Sequence, residues 1–80
     1  MTQLQVGGLY SYNNPRNVYK DDEGISTIGY MEADEPFVFL EKARDELKWV
    51  EGYYKVLTSQ GIVGWVHIGY PEDLKELSHG

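Results

Sequence analysis

Two apolar runs and the four residues between them constrain this fold most. The runs are Tyr53-Tyr54-Lys55-Val56-Leu57 and Ile62-Val63-Gly64-Trp65-Val66-His67-Ile68, and Thr58-Ser59-Gln60-Gly61 separates them. Both runs are rich in the β-branched and aromatic residues that suit a pleated surface. A short polar link ending in glycine, where a tight turn wants positive φ, predicts a β-hairpin. A third run, Glu35-Pro36-Phe37-Val38-Phe39-Leu40-Glu41, sets Phe37 and Phe39 on one face and Val38 and Leu40 on the other. That is the period of two a strand requires.

The remaining segments fit around these strands. Gly7-Gly8-Leu9-Tyr10-Ser11-Tyr12 reads as a first strand, with Leu9 and Ser11 on one face and the two tyrosines on the other. Asn13-Asn14-Pro15 ends it with turn chemistry. Residues 16–28 form a long polar excursion containing Asp21-Asp22-Glu23-Gly24, after which Ile25, Ile28 and Tyr30 are expected to return the chain to the core. Residues 31–35 read as a turn. Residues 41–48 have helical composition but are too few to hold a helix alone, so they read as a loop with at most one helical turn. The tail Pro71-Glu72-Asp73-Leu74-Lys75-Glu76-Leu77 fits a last strand or a short helix, since proline followed by acids suits a helical first turn. Several short strands between turn signals predict an all-β domain, a small sandwich or barrel.

Bulk properties narrow the function. Eighty residues make one domain, residues 1–80, and bury only about 60% of the unfolded surface. The chain has no cysteine, which excludes disulfides, thiolate metal sites and thiol catalysis. The opening Met1-Thr2-Gln3-Leu4-Gln5 has neither the basic run nor the apolar stretch of a signal peptide, and no run approaches the roughly 20 apolar residues of a membrane helix. A cytoplasmic location is the expectation, because small secreted domains tend to carry disulfides. With 7 basic and 13 acidic side chains the formal charge is −6. Nucleic acid and anionic membrane surfaces both select basic footprints, so neither is an expected partner. A basic partner is.

The order of segments resembles an SH3-type domain over about residues 7–77. Tyr54-Lys55-Val56, Gly61, Gly64-Trp65-Val66-His67 and Tyr70 resemble the bacterial SH3 pattern of an aromatic-x-Val strand, a glycine hairpin, Gly-Trp-Val and a closing tyrosine. Ile28-Gly29-Tyr30-Met31 and Val38-Phe39-Leu40-Glu41 fall where that family places its second and third core segments. Leu9-Tyr10-Ser11-Tyr12 is similar to the opening motif of eukaryotic SH3 domains, and Tyr53-Tyr54 stands where they have paired tryptophans. The resemblance implies a five-stranded SH3-like barrel with a long first excursion, residues 13–29, and an acidic loop at Asp21, Asp22 and Glu23. The chain departs from the eukaryotic pattern at His67, where a groove-lining proline is usual, and in the longer loop at residues 41–52.

Catalysis has little to work with. The histidines are His67 and His79, and no motif sets a nucleophile and an acid around either. Two distant histidines do not make a transition-metal site, and Asp21-Asp22-Glu23-Gly24 lacks the alternating ligands of a calcium loop. No catalytic residue, metal or cofactor is expected. The aromatics say more. Seven tyrosines and two tryptophans exceed what a small barrel core needs, and tyrosine suits peptide recognition. The resemblance implies that Tyr10, Tyr12, Tyr53 and Tyr70 converge on a groove beside Asp21, Asp22 and Glu23. Such a groove grips an extended proline-containing segment and selects a basic residue. The same rings also suit a packed core. Trp49 anchors its loop or an interface, and Trp65 reads as core, with a groove position as the alternative.

Three readings follow. The first is a non-catalytic module that binds a basic or proline-containing peptide. The second is a structural or assembly protein, such as a viral accessory piece, that oligomerises or docks on a larger complex. The third is cell-wall recognition, implied by the bacterial resemblance alone.

Overall fold

The computed structural model describes residues 4–42 and 52–78. Seven strands form one antiparallel sheet: β1 Leu9–Tyr12, β2 Arg16–Tyr19, β3 Thr27–Met31, β4 Phe37–Lys42, β5 Gly52–Thr58, β6 Val63–Ile68 and β7 Leu74–Ser78. Their order across the sheet is β3-β2-β6-β5-β4-β1-β7. The all-β expectation is met, with two strands more than five. The polar excursion is itself a hairpin, β2–β3, in register at Arg16↔Met31, Asn17↔Tyr30 and Val18↔Gly29. Among the described residues no helix is long and apolar enough to cross a membrane.

The β5–β6 hairpin forms where the sequence places it. The Thr58 N–H donates to the Ile62 carbonyl at 2.9 Å, and Gly61 sits at φ +84°. Both possibilities for the tail occur in succession. Pro71–Asp73 makes one 3-10 turn and β7 follows it. β7 then pairs with β1 at Tyr10↔Glu76, Ser11↔Lys75 and Tyr12↔Leu74. The expected helical turn within residues 41–48 lies largely outside the described residues.

The core is aromatic. Tyr10 stacks on Phe37 at 6.3 Å between ring centroids and meets Phe39 edge-on at 6.4 Å, and Phe39 meets Tyr54 edge-on at 5.8 Å. Leu4, Tyr12, Val18, Met31, Val56, Val66, Ile68 and Leu74 belong to the same core. Each large apolar side chain fully buried here contributes roughly 1.5–3 kcal/mol. A bulge between Phe39 and Glu41 shifts the phase of β4 by one residue. Lys42 therefore follows Phe39 inward, its ammonium 5.7 Å above the Tyr54 ring, while Glu41 faces solvent.

Three sequence expectations change at this level. Ile25, Ile28 and Tyr30 do not rejoin the core: they are 74%, 47% and 46% exposed. β3 is an edge strand, so its apolar residues have a neighbour on one side only, and Met31 alone of this group is buried. Trp65 faces outward and is half-buried, because Gly64, Val66 and Ile68 hold the inward positions of β6. Tyr10 and Tyr12 are fully buried, so they are core rather than groove surface. β1 lies between β4 and β7, which places both of its tyrosines inside.

Candidate functional site

The outward side of β5 and β6 carries the aromatic surface. Tyr53 pairs with His67 and Lys55 with Trp65, and Tyr19 of β2 pairs with Trp65 from the other side. The Tyr53 ring lies 5.1 Å from the imidazole of His67 and meets Tyr19 edge-on at 6.3 Å. Strand alternation produces this row. Val18 of β2 points into the core, so its neighbour Tyr19 points out.

The acidic loop closes against Tyr53. The Lys20 N–H donates to the Ser26 carbonyl at 2.8 Å, and the Asp21 carboxylate accepts the Glu23 N–H at 3.0 Å. Short Asp side chains commonly order turns in this way. Gly24, at φ +71°, then passes so close beneath Tyr53 that a β-carbon there would meet the Tyr53 hydroxyl. Asp21, Asp22 and Glu23 are thus carried to the edge of the aromatic row, with Asp22 and Glu23 exposed.

Tyr12 and Tyr70 meet at the other end. The Tyr70 N–H donates to the Tyr12 phenol oxygen at 3.1 Å, and the Tyr70 ring is 58% exposed. Arg16 covers Tyr12, its guanidinium carbon 5.4 Å from the ring centroid. The Arg16 Nε–H donates to the His67 carbonyl at 3.0 Å and Nη1 donates to the Pro15 carbonyl at 3.0 Å. One run of contacts therefore leads from the acidic loop through Tyr53 and His67 to Arg16, Tyr12 and Tyr70.

The expected tyrosines divide accordingly. Tyr53 and Tyr70 are at the surface, whereas Tyr12 supports the run from beneath. Tyr10 lies apart, its phenol oxygen accepting the Gln5 N–H at 3.0 Å. Trp49 lies outside the described residues. Sequence reasoning passed over Arg16 and Tyr19. The signal was the alternation of Arg16-Asn17-Val18-Tyr19, a strand pattern inside a segment read as irregular.

A separate hollow of about 200 Å³ lies over β1, β4 and β5, lined by Leu9, Pro36, Val38 and Leu57. Its walls are apolar and offer little to orient a ligand. Among the described residues no three His, Asp or Glu side chains gather as a metal site would require. Comparison with known proteins finds no matching family model, curated protein or solved structure.

Proposed function

We propose that this chain is a non-catalytic peptide-binding module of SH3-like architecture. Its ligand is an extended segment, basic or proline-containing, lying along the surface from the acidic loop to Tyr70. The observation that carries this reading is the position of Tyr53. Its hydroxyl sits over Gly24 of the acidic loop and its ring rests against His67 and Tyr19. Flat aromatic faces suit the rings of a polyproline segment, and neighbouring carboxylates favour a cation on it.

The strand arrangement supports the architecture. β1, β4, β5, β6 and β7 supply the five strands such a barrel needs, and the β2–β3 hairpin occupies the long first excursion. The pairing of first and last strands and the 3-10 turn before the last strand fit the same plan.

The test is an amide-resolved NMR titration of the whole chain with proline-rich and basic peptides. Shifts should cluster on Tyr53, Tyr70, Tyr19 and residues 20–26. Tyr53→Ala and Tyr70→Ala should abolish them in chains that stay folded. Shifts that avoid this surface, or binding that survives both substitutions, would retire the reading.

One observation favours assembly as a second reading. Residues 24–31 carry no charged side chain and include the edge strand β3, whereas the opposite edge, β7, carries Lys75 and Glu76. Charged residues on an edge discourage strand addition, so β3 is the less protected edge. Sedimentation at micromolar concentration separates the readings: a strict monomer speaks against self-assembly.

A further inference from the structure

We infer that Arg16 is an anchor for a carboxylate on the ligand, so that the surface takes a peptide bearing an anion at one end and a cation at the other. The inference rests on the peptide-binding reading above and adds the ligand's second charge and its direction.

Arg16 is half-buried and held on three sides. The Tyr12 ring lies beneath it, and the carbonyls of His67 and Pro15 accept from Nε and Nη1. A guanidinium has five N–H donors. These two bonds leave the Nη2 edge without a partner among the described residues. Thirteen acidic side chains are present in the chain, yet among the described residues none forms an ion pair with Arg16; Glu41, for one, pairs with Lys55 instead. A planar cation pinned by two neutral carbonyls and backed by a ring is already oriented for a carboxylate. Little side-chain freedom remains to be lost on binding.

The fold also sets a spacing. Arg16 opens β2, and the acidic loop begins beyond Tyr19 at its other end. A strand rises about 3.3 Å per residue, which puts Arg16 roughly 15 Å from Asp21. A polyproline-type ligand rises about 3.1 Å per residue, so its two charges would stand about five residues apart. A cation facing Asp21, Asp22 and Glu23 also offsets the repulsion that a chain of charge −6 exerts on an acidic ligand.

The test uses the whole chain and four proline-rich peptides. One has Arg and Glu about five residues apart, one has Gln in place of Glu, one has the Arg and a free C-terminal carboxylate at that spacing, and one is the same with the terminus amidated. Binding is read from amide shifts and from the side-chain Nε–H signal of Arg16. At least one carboxylate form should bind about tenfold more tightly than its neutral partner and move the Arg16 signal. Whether the Glu or the terminal form does so names the source of the carboxylate. Arg16→Gln should erase the preference, so that each charged peptide and its neutral partner bind alike, and Arg16→Lys should retain part of it. Equal binding of charged and neutral peptides to the original chain would overturn the inference. So would an equal weakening of all four peptides in Arg16→Gln, which would make Arg16 a cover for Tyr12 only. If no peptide binds, the peptide reading itself has failed. The anchor is then judged by acetate against chloride at equal ionic strength. A saturable Arg16 Nε–H shift with acetate upholds it, and no shift rejects it.

Discussion

The phenol oxygen of Tyr12 accepts the backbone N–H of Tyr70, 58 positions away in sequence, at 3.1 Å. The bond ties β1 to the segment that leads into β7, and it sets a buried ring beneath a surface one. The two tyrosines should therefore respond in opposite ways. Tyr12→Phe keeps the ring but strands a backbone donor, which costs about 1–3 kcal/mol. Tyr70→Ala keeps the backbone N–H and removes an exposed ring, so stability should change by no more than about 0.5 kcal/mol. Urea unfolding of the two variants checks this. A larger loss in Tyr70→Ala than in Tyr12→Phe would mean the ring is structural.

Gly24 and Tyr53 form the joint between loop and aromatic row. Gly24→Ala places a β-carbon at φ +71° and against the Tyr53 hydroxyl. The left-handed backbone alone costs about 1–2 kcal/mol. The contact adds to it, because the loop must lift or the ring must turn. Tyr53→Phe in the same background should recover the contact but not the backbone part. A double-mutant cycle measures that recovery as a coupling energy. Strictly additive losses would show that the loop does not rest on the ring.

Strands and faces were legible in the sequence wherever alternation met a turn signal. Phe37 and Phe39 against Val38 and Leu40, and the link at residues 58–61, are such places. What alternation leaves open is which face is inside. Trp65 sits mid-strand between Val63 and His67 on one face and so suggests core, yet Val66 is buried and Trp65 half-exposed. The deciding residue is Gly64, which admits β2 on the inward side. Sheet order matters in the same way. Tyr10 and Tyr12 are interior because β7 returns to cover β1, and Ile28 and Tyr30 are exposed because nothing pairs with β3 on its far side. Both facts are long-range pairings that local pattern does not encode. The candidate surface was half-legible for this reason. Tyr53, Tyr70 and the acids were singled out, while Arg16 and Tyr19 lay in a segment whose polarity concealed its strand.

Gly64 is a point of close approach between strands. A β-carbon there would lie 2.5 Å from Val18 Cγ1 and 2.8 Å from the Tyr19 carbonyl oxygen. The valine can adjust, but the backbone carbonyl cannot do so without moving β2. Overpacking of this kind costs typically about 1–3 kcal/mol, occasionally more. In register, β2 meets β6 only at Tyr19↔Trp65, so Gly64→Ala should loosen the β2–β3 hairpin first. Amide exchange should show lost protection at residues 16–19 and 27–31 while β4 and β5 stay protected. Uniform loss across the sheet would mean the hairpin is an inseparable part of the core.

Alkaline pH should unfold this domain through its core. Burial raises the pKa of Tyr54 well above its usual value, and the nearby phenols of Tyr12 and Tyr10 raise it further. An unfolded tyrosine loses its proton near pH 10. The folded chain still holds the Tyr54 proton there, so above that pH the unfolded state binds fewer protons and is favoured. The contribution of Tyr54 to stability is full below about pH 10 and falls as the pH rises further towards the folded pKa. Tyr54 should ionise together with the loss of strand circular dichroism, and Tyr54→Phe should flatten the decline of stability with pH in that range. Tyrosinate absorbance followed together with far-ultraviolet circular dichroism measures both events. Ionisation of Tyr54 before any loss of strand signal would show that its site admits solvent.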